Sequence, residues 1–341
     1  MQFVSGIATT GRAGTVRVPA RIAALSMDFV PLRCPECTSS LTVMGYEALG
    51  QPHEPIQCRQ CFTNLVQENG VWLALRENRR HHFHDFLRDY EAVRKAEGRG
   101  SADPGFYLSL PYQDRTNRNS WQWAIRSRTY RYIVKTILPT VSENSLSVLD
   151  LGAGNGWLCY RLSCLGHRPI AIDLQTNSFD GLGAAVHYRS ALPRMFPRVQ
   201  AEVDWLPFQS GQFDCAIFNA SFHYSEDYCS TLAETIRCLR PGGTLVIADS
   251  PSYAREKSGQ QMIEEKQALF QKQFGFSSNR LASREYITKK TLQSLETTHH
   301  LKWTTHVVWY GLRWACRPFM AKLKHRREPS QFRIYTAQVK T

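Results

Sequence analysis

Five short apolar runs, LSVLDL, RPIAIDL, RVQAEV, FDCAIFN and GTLVIAD, punctuate the chain from residue 146 onward. They are β-branched-rich and almost continuously apolar, which is the pattern of parallel strands covered on both faces. Helix-like stretches lie between them. The alternation predicts an α/β fold, a doubly wound and mostly parallel sheet whose ligands gather at the carboxyl ends of the strands. Two later runs, LKWTTHVVWY and QFRIYTAQVK, predict an edge pair closing that sheet. Upstream, Phe83, Phe86, Leu87, Tyr90 and Val93 recur at helical spacing, so residues 83–97 read as an amphipathic helix whose stripe belongs to the core. The run EGRGSADPG breaks that pattern as a joint, and PYQDRTNRNSWQWAIRSRTY then predicts a second helix, either a lid or an ordinary amphipathic face.

Residues 28–76 have a different texture, with short β-prone runs, four prolines and two Cys-x-x-Cys pairs. Cys34 and Cys37 stand twenty residues before Cys58 and Cys61. Each tight turn presents two thiolates about 3.5 to 4 Å apart, as Zn–S bonds of about 2.3 Å require, so the set is read as a four-thiolate structural zinc ribbon. Two disulfides or a redox pair are the alternatives. A segment of this size needs a staple to fold, which favours the metal. Residues 1–27, basic and rich in small residues but without an apolar core, are expected to be a disordered tail. The chain is thus divided into that tail, a β-rich zinc ribbon at 28–76, a helical linker or lid at 77–119 and the main α/β domain at 120–341.

With 341 residues the chain exceeds what one core usually supports. No apolar run approaches the roughly 18 residues that cross a bilayer. Six further cysteines are scattered through expected core elements, which suits a reducing, cytoplasmic setting. The net charge of +13 points to an anionic partner without choosing among RNA, a membrane surface and an acidic substrate.

The run VLDLGAGNGWL reads as strand, glycine turn and helix start. Gly152 and Gly154 permit left-handed backbone and close approach of a ligand, and Gly156 lets the helix pack near it. Trp157 stands where a dinucleotide fingerprint wants a small residue, and the Gly-Lys-Ser/Thr of a phosphate loop is missing. Asp173 ends the next strand, seventeen residues after Gly156, where a carboxylate can accept both hydroxyls of a ribose.

Taken in order, VLDLGAGNG, IAIDL, EVDWLPFQSGQFDCAIF and CLRPGGTLVIAD resemble the class I S-adenosylmethionine-dependent methyltransferases over residues 120–341. The resemblance implies a Rossmann-like fold. It implies that Asp150, Gly152, Ala153, Gly154, Asn155 and Gly156 line the methionine part of the cofactor and that Asp173, with Leu174, binds its ribose. Glu202, Val203 and Asp204 would flank the adenine, with a Glu where many relatives carry an Asp, and Asn219 would close over the amino-acid end. The LRPGG turn is structural punctuation. The zinc segment is also similar to the zinc domain of ribosomal RNA guanine methyltransferases, and NLVQENGVWLAL to the last strand of zinc-ribbon activator modules of methyltransferases.

Methyl transfer from a sulfonium asks mainly for positioning. If the acceptor must lose a proton, His223 in NASFHYSED is the candidate base. Tyr253 and Tyr286 are candidates for the acceptor side. The turn NASF differs from the Asn/Asp-Pro-Pro-aromatic turn of nucleic-acid amino methyltransferases, which favours a small phenolic, quinone-like or biosynthetic acceptor over RNA. RNA methylation and a non-catalytic binding protein remain the rival classes. Residues 309–327 carry apolar side chains at near-helical spacing among six Lys and Arg, a pattern that also suits peripheral contact with an anionic membrane.

Overall fold

The computed structural model describes residues 29–42, 44–275 and 280–340, and the expected tail at 1–27 lies outside them. Its main sheet contains β1 (Ile56–Gln57), β2 (Asn64–Glu68), β3 (Val71–Leu73), β4 (Ser147–Leu151), β5 (Arg168–Asp173), β6 (Arg198–Gln200), β7 (Phe213–Asn219), β8 (Leu239–Ala248), β9 (Thr304–His306) and β10 (Ile334–Gln338). Their order across the sheet is β9-β10-β8-β7-β4-β5-β6-β3-β2-β1. From β3 to β8 every neighbouring pair is parallel. β10 runs antiparallel to both β8 and β9. The chain winds outward from β4 through β5 to β6 and then returns to the other side of β4 as β7. This reversal opens a crevice at the carboxyl ends of β4 and β7, where an open α/β sheet receives its ligand.

The five apolar runs form strands, as their texture predicts. Only Arg198–Gln200 of RVQAEV stays in the sheet, because the chain turns at Glu202. Of LKWTTHVVWY only Thr304–His306 pairs. Helices α1 (Glu77–Ala96), α2 (Ser120–Tyr132), α3 (Trp157–Cys164), α4 (Tyr228–Cys238), α5 (Glu256–Phe274) and α6 (Lys289–His299) connect or cover the strands. The LRPGG turn acts as punctuation: α4 stops at Cys238, and Gly242 takes φ 75° where the pairing of β8 shifts register between Leu239 and Thr244.

The segment expected to be a zinc ribbon prolongs the main sheet. β3 lies parallel to β6 through Trp72↔Val199 and Leu73↔Gln200, and β2 and β1 continue outward as an antiparallel meander. Leu32, Leu65 and Trp72 pack in the same apolar cluster as Leu149, Leu151 and Ile172. Trp72 is 1% exposed, and its indole N–H donates to the Leu49 carbonyl at 2.9 Å, so its one polar atom is satisfied. The two cysteine turns are built alike. Thr38 N–H donates to Cys34 O at 3.0 Å and Phe62 N–H to Cys58 O at 2.9 Å. Thr38 and Phe62 take left-handed φ of 64° and 61°, costly for residues with bulky or branched side chains and sustained only where the surroundings fix the turn.

Candidate functional site

Both edges of the crevice are shaped by the glycine turn after β4. Gly152, Gly154 and Gly156 have φ of 78°, 54° and 76°. A Cβ on Gly152 would fall 2.3 Å from that of Ser221, so glycine here is a steric requirement as well as a conformational one. The N–H groups of Gly152 and Ala153 donate to the Ile172 carbonyl at 2.8 and 2.9 Å, which ties the turn to the end of β5. Asp173 completes the tie: its Oδ2 accepts from Gly154 N at 2.7 Å and its Oδ1 from Gln175 N at 2.8 Å. Burial raises the Asp173 carboxyl above its ordinary range, and the two amide hydrogen bonds oppose that rise.

Gly152, Ala153, Gly154, Asn155, Asp173, Leu174, Glu202, Val203, Asp204 and Asn219 all line one cavity at the carboxyl ends of β4, β5 and β7. Asp150 and Gly156 stand behind it. Asp150 is 1% exposed and accepts from the Cys159 thiol at 3.3 Å, and burial pushes its carboxyl up to about 7. Gly156 supports the turn from below, where a Cβ would meet the Phe196 ring at 2.9 Å. Both act on the ligand wall through the turn they brace.

At one end of the cavity, neither Nδ2 nor Oδ1 of Asn219 is hydrogen-bonded among the described residues. A buried amide with both atoms unmet awaits a ligand that offers an acceptor and a donor together. The next residue, Ala220, has a φ of 57°, strain of the kind that collects at binding sites. At the other end the Glu202 carboxylate is engaged from outside. Its Oε1 accepts from Arg76 Nε and Nη2 at 3.1 and 2.7 Å, and its Oε2 accepts from Arg79 Nε at 2.7 Å. Asp204 beside it makes no ion pair among the described residues. Burial, then the charge of Glu202, raises its carboxyl.

The aromatic stripe of 83–97 is core in part, with Phe83 buried beside Leu75 and Leu281 and Phe86 and Leu87 packed against them, and it also faces the crevice. Phe83, Phe86, Leu87 and Tyr90 of α1 form a wall of this cavity, because α1 crosses the carboxyl ends of the strands instead of lying on a sheet face. Arg94 of the same helix pairs with Asp180, which also accepts from Asn155 Nδ2 at 3.3 Å. Sequence reasoning missed Arg76, Arg79, Tyr90, Arg94, Gln175 and Asp180. Their partners lie far along the chain, and a helical stripe facing a ligand has the same period as one facing a core.

A second cavity of about 400 Å³ adjoins the first and shares Phe86, Tyr90, Arg94, Arg126, Ala220, Tyr224 and Leu281 with it. His223 faces this second space and is 9% exposed, with its Nδ1 3.2 Å from Ser250 Oγ. Burial, then the charges of Lys266 and Arg126, pushes His223 down to about 3. The imidazole is therefore neutral through the physiological range. In an NMR titration of histidine-labelled protein, its Hε1 resonance should stay fixed between about pH 8 and 5, since no proton is taken up there; a sigmoidal shift centred near 6.5 would contradict this. Asp249, also on this cavity, accepts from Thr129 Oγ1 at 2.6 Å, and burial pushes it up to about 6. Tyr253 and Tyr286 do not line either cavity; their rings pack edge to face at 5.8 Å at the small sheet formed by Pro251–Tyr253, Ile287–Thr288 and Gln331–Phe332.

The four cysteine sulfurs lie within 4.8 Å of one another, with Cys34 and Cys58 buried and Cys37 and Cys61 half-buried. Cys34 Sγ is 3.5 Å from that of Cys61, and Cys37 Sγ is 3.6 Å from that of Cys58. These separations exceed a disulfide bond of about 2.05 Å and match the spacing of thiolates around one tetrahedral ion. The donor set is compatible with zinc and closed to any further ligand.

Residues 149–247 match the family described as a methyltransferase domain. The biotin biosynthesis bifunctional protein BioHC of Saccharophagus degradans is 27% identical over 116 residues, 34% of this chain and 20% of that protein. The ubiquinone/menaquinone biosynthesis C-methyltransferase UbiE of Blochmanniella floridana is 33% identical over 112 residues, 31% of this chain and 43% of that protein. The chain thus spans less than half the length of these curated relatives. A solved complex between the Haloferax volcanii Trm112 methyltransferase activator and a methyltransferase aligns with a TM-score of 0.46 and 15% identity, covering 71% of this chain and 100% of that one. The glycine turn, Asp173, Glu202 and Asn219 all lie within the matched residues 149–247.

Proposed function

We propose that this chain is an S-adenosylmethionine-dependent methyltransferase that acts on a small-molecule acceptor and carries a structural zinc on Cys34, Cys37, Cys58 and Cys61. The observation that carries this reading is the first cavity, where a glycine turn held by Asp173 faces an amide, Asn219, with no partner of its own. When bound, the cofactor supplies a methyl group on a sulfonium, which departs as a neutral thioether. The fold's task is then to hold two molecules in line.

Asp173, whose oxygens each keep a lone pair free after meeting Gly154 and Gln175, accepts from the ribose hydroxyls. Asn219 offers its amide to the ammonium and carboxylate of the amino-acid end. Glu202, already satisfied by Arg76 and Arg79, fixes α1 as the cavity's roof. Asp204 is then the carboxylate available to the adenine amino group. A histidine held near 3 is a poor general base at neutral pH, so His223 forms a polar wall of the acceptor space and the transfer rests on positioning. Calorimetric titration with the demethylated product, S-adenosylhomocysteine, tests the reading, and absence of binding would overturn it.

The docked zinc segment supports a brace role. By covering the edge of β6 and sending Arg76 to Glu202, where Arg79 of α1 joins it, the segment links the metal site to the cofactor wall.

A membrane surface is the second partner we infer. Val307, Trp309, Leu312, Phe319 and Leu323 are each more than 60% exposed, on and beside two short helices, Leu312–Ala315 and Arg317–Leu323, divided at Cys316 with Pro318 in the first turn of the second. No acid occurs in 309–327, and Lys322, Lys324 and Arg326 are exposed. Among the described residues no helix is long and apolar enough to cross a membrane, so the contact would be peripheral. The protein should sediment with phosphatidylserine vesicles at low salt and not with phosphatidylcholine ones. Reversing Lys322, Lys324 and Arg326 to Glu should weaken that binding on the order of 100-fold, at about 1 kcal/mol per basic residue lost. Equal binding by the reversed variant would remove the membrane from the account.

A further inference from the structure

The second cavity has an unbalanced charge. Three of its cations are matched locally: Arg280 pairs with Asp89 at 2.9 Å, Arg99 with Glu97 at 2.9 Å and Lys266 with Glu285 at 2.8 Å. Arg94 is held by Asp180. Arg317 lies over the Trp314 ring, 3.2 Å from its centre, and donates to the Ser330 carbonyl at 2.5 Å. Arg126 has no such partner. It projects from α2 with its guanidinium 4.8 Å above the Trp123 ring, and it makes no ion pair among the described residues. Asp249 attracts it electrostatically without reaching it: Oδ1 accepts from Thr129, and Oδ2 meets no donor among the described residues.

Position adds to the charge argument. Arg126 is one of the few residues that line both cavities, so it stands where cofactor space and acceptor space meet. Arg94 and Arg99 add their positive field to its own, which costs free energy while no anion is present. Around it the second cavity is walled by Phe86, Trp121, Phe270, Trp314 and Phe332. A space of about 400 Å³ with aromatic walls and, at its junction with the first cavity, a guanidinium that makes no ion pair among the described residues selects for an apolar body carrying a negative group.

We propose that the methyl acceptor is an organic anion, with an apolar or aromatic body in the second cavity and its carboxylate, phosphate or sulfonate on Arg126. This rests on the reading that the first cavity holds the cofactor. Arg126 acts as a positioning residue: clamping the acceptor's charged group at the junction fixes how far its body reaches toward the methyl group.

Matched acid and amide probes test the inference: benzoate against benzamide, 2-naphthoate against 2-naphthamide, and decanoate against decanamide. Each is titrated calorimetrically into protein saturated with S-adenosylhomocysteine. At least one acid should bind about 10-fold or more tightly than its amide, the gain of one charge-assisted contact in a partly buried setting. Arg126→Gln should abolish that preference, and Arg126→Lys should keep most of it. If no pair shows the preference in the wild-type protein, or if Arg126→Gln retains it, the proposal falls. Should Arg126→Gln prove unfolded by circular dichroism, the wild-type and Arg126→Lys titrations decide alone. S-adenosylhomocysteine titrated into wild-type protein is read separately: its failure to bind overturns the cofactor reading, and the acid-amide comparison on unloaded protein then judges the anion site by itself.

Discussion

Asp173→Asn is expected to bind S-adenosylhomocysteine about 100-fold more weakly than the wild-type protein, the cost of two hydrogen bonds to a charged acceptor at roughly 1.5 kcal/mol each. Two effects combine. The substitution removes the negative charge that the ribose hydroxyls would meet. It also turns an amide N–H toward one of two backbone donors, Gly154 N at 2.7 Å or Gln175 N at 2.8 Å, so the glycine turn loses part of its anchor. The measurement is calorimetric titration of both proteins, with melting curves to show that the variant is folded. Wild-type affinity in a folded Asp173→Asn protein would mean that the turn does not cradle a nucleoside.

Loss of the metal should be the largest effect on stability. Purified wild-type protein is expected to hold a single zinc per chain by elemental mass spectrometry, and the Cys34→Ser/Cys58→Ser double variant none. Both exchanged residues are fully buried, at 1% and 0% exposure. A four-thiolate zinc site contributes about 10 kcal/mol to folding, which is comparable to the whole stability of an ordinary domain. Residues 29–76 should therefore unfold in the variant. Trp72 would then leave the core it shares with Leu149 and Ile172, and the edge of β6 would lose its cover. Insolubility, or tryptophan fluorescence shifted to the red with a steep fall in melting temperature, is the expected outcome. A double variant that melts like the wild type would show that the sulfurs staple nothing.

What could be read from the residues was what is encoded locally. The strands of the α/β unit announced themselves through continuous apolar runs, and the glycine turn through a spacing that only left-handed backbone explains. The two Cys-x-x-Cys pairs fixed their own turns. What escaped was every feature made by residues distant in sequence. Trp72 pairs with Val199 across 127 positions, and nothing near residue 72 distinguishes a strand of an independent ribbon from one that prolongs a larger sheet. The Arg76 and Arg79 partners of Glu202 could not be read, because its neighbours in sequence give no sign of them. The stripe of α1 read as core alone because Phe86 and Tyr90 keep helical spacing whichever surface they face. Arg126 is one of several arginines in its segment, and only the packing of α2 against the crevice singles it out.

The parallel pairing of β3 with β6 also imposes an order of events on the ribosome. Leu73 is joined to the growing chain 125 residues before Arg198, taking 198 minus 73, so at 5 to 20 residues per second its docking strand arrives about 6 to 25 s later. All four thiols are already made when that interval begins. Capture of the proposed zinc need not wait for the sheet, whereas Leu32 and Trp72 must wait for Leu149 and Ile172 to complete their core.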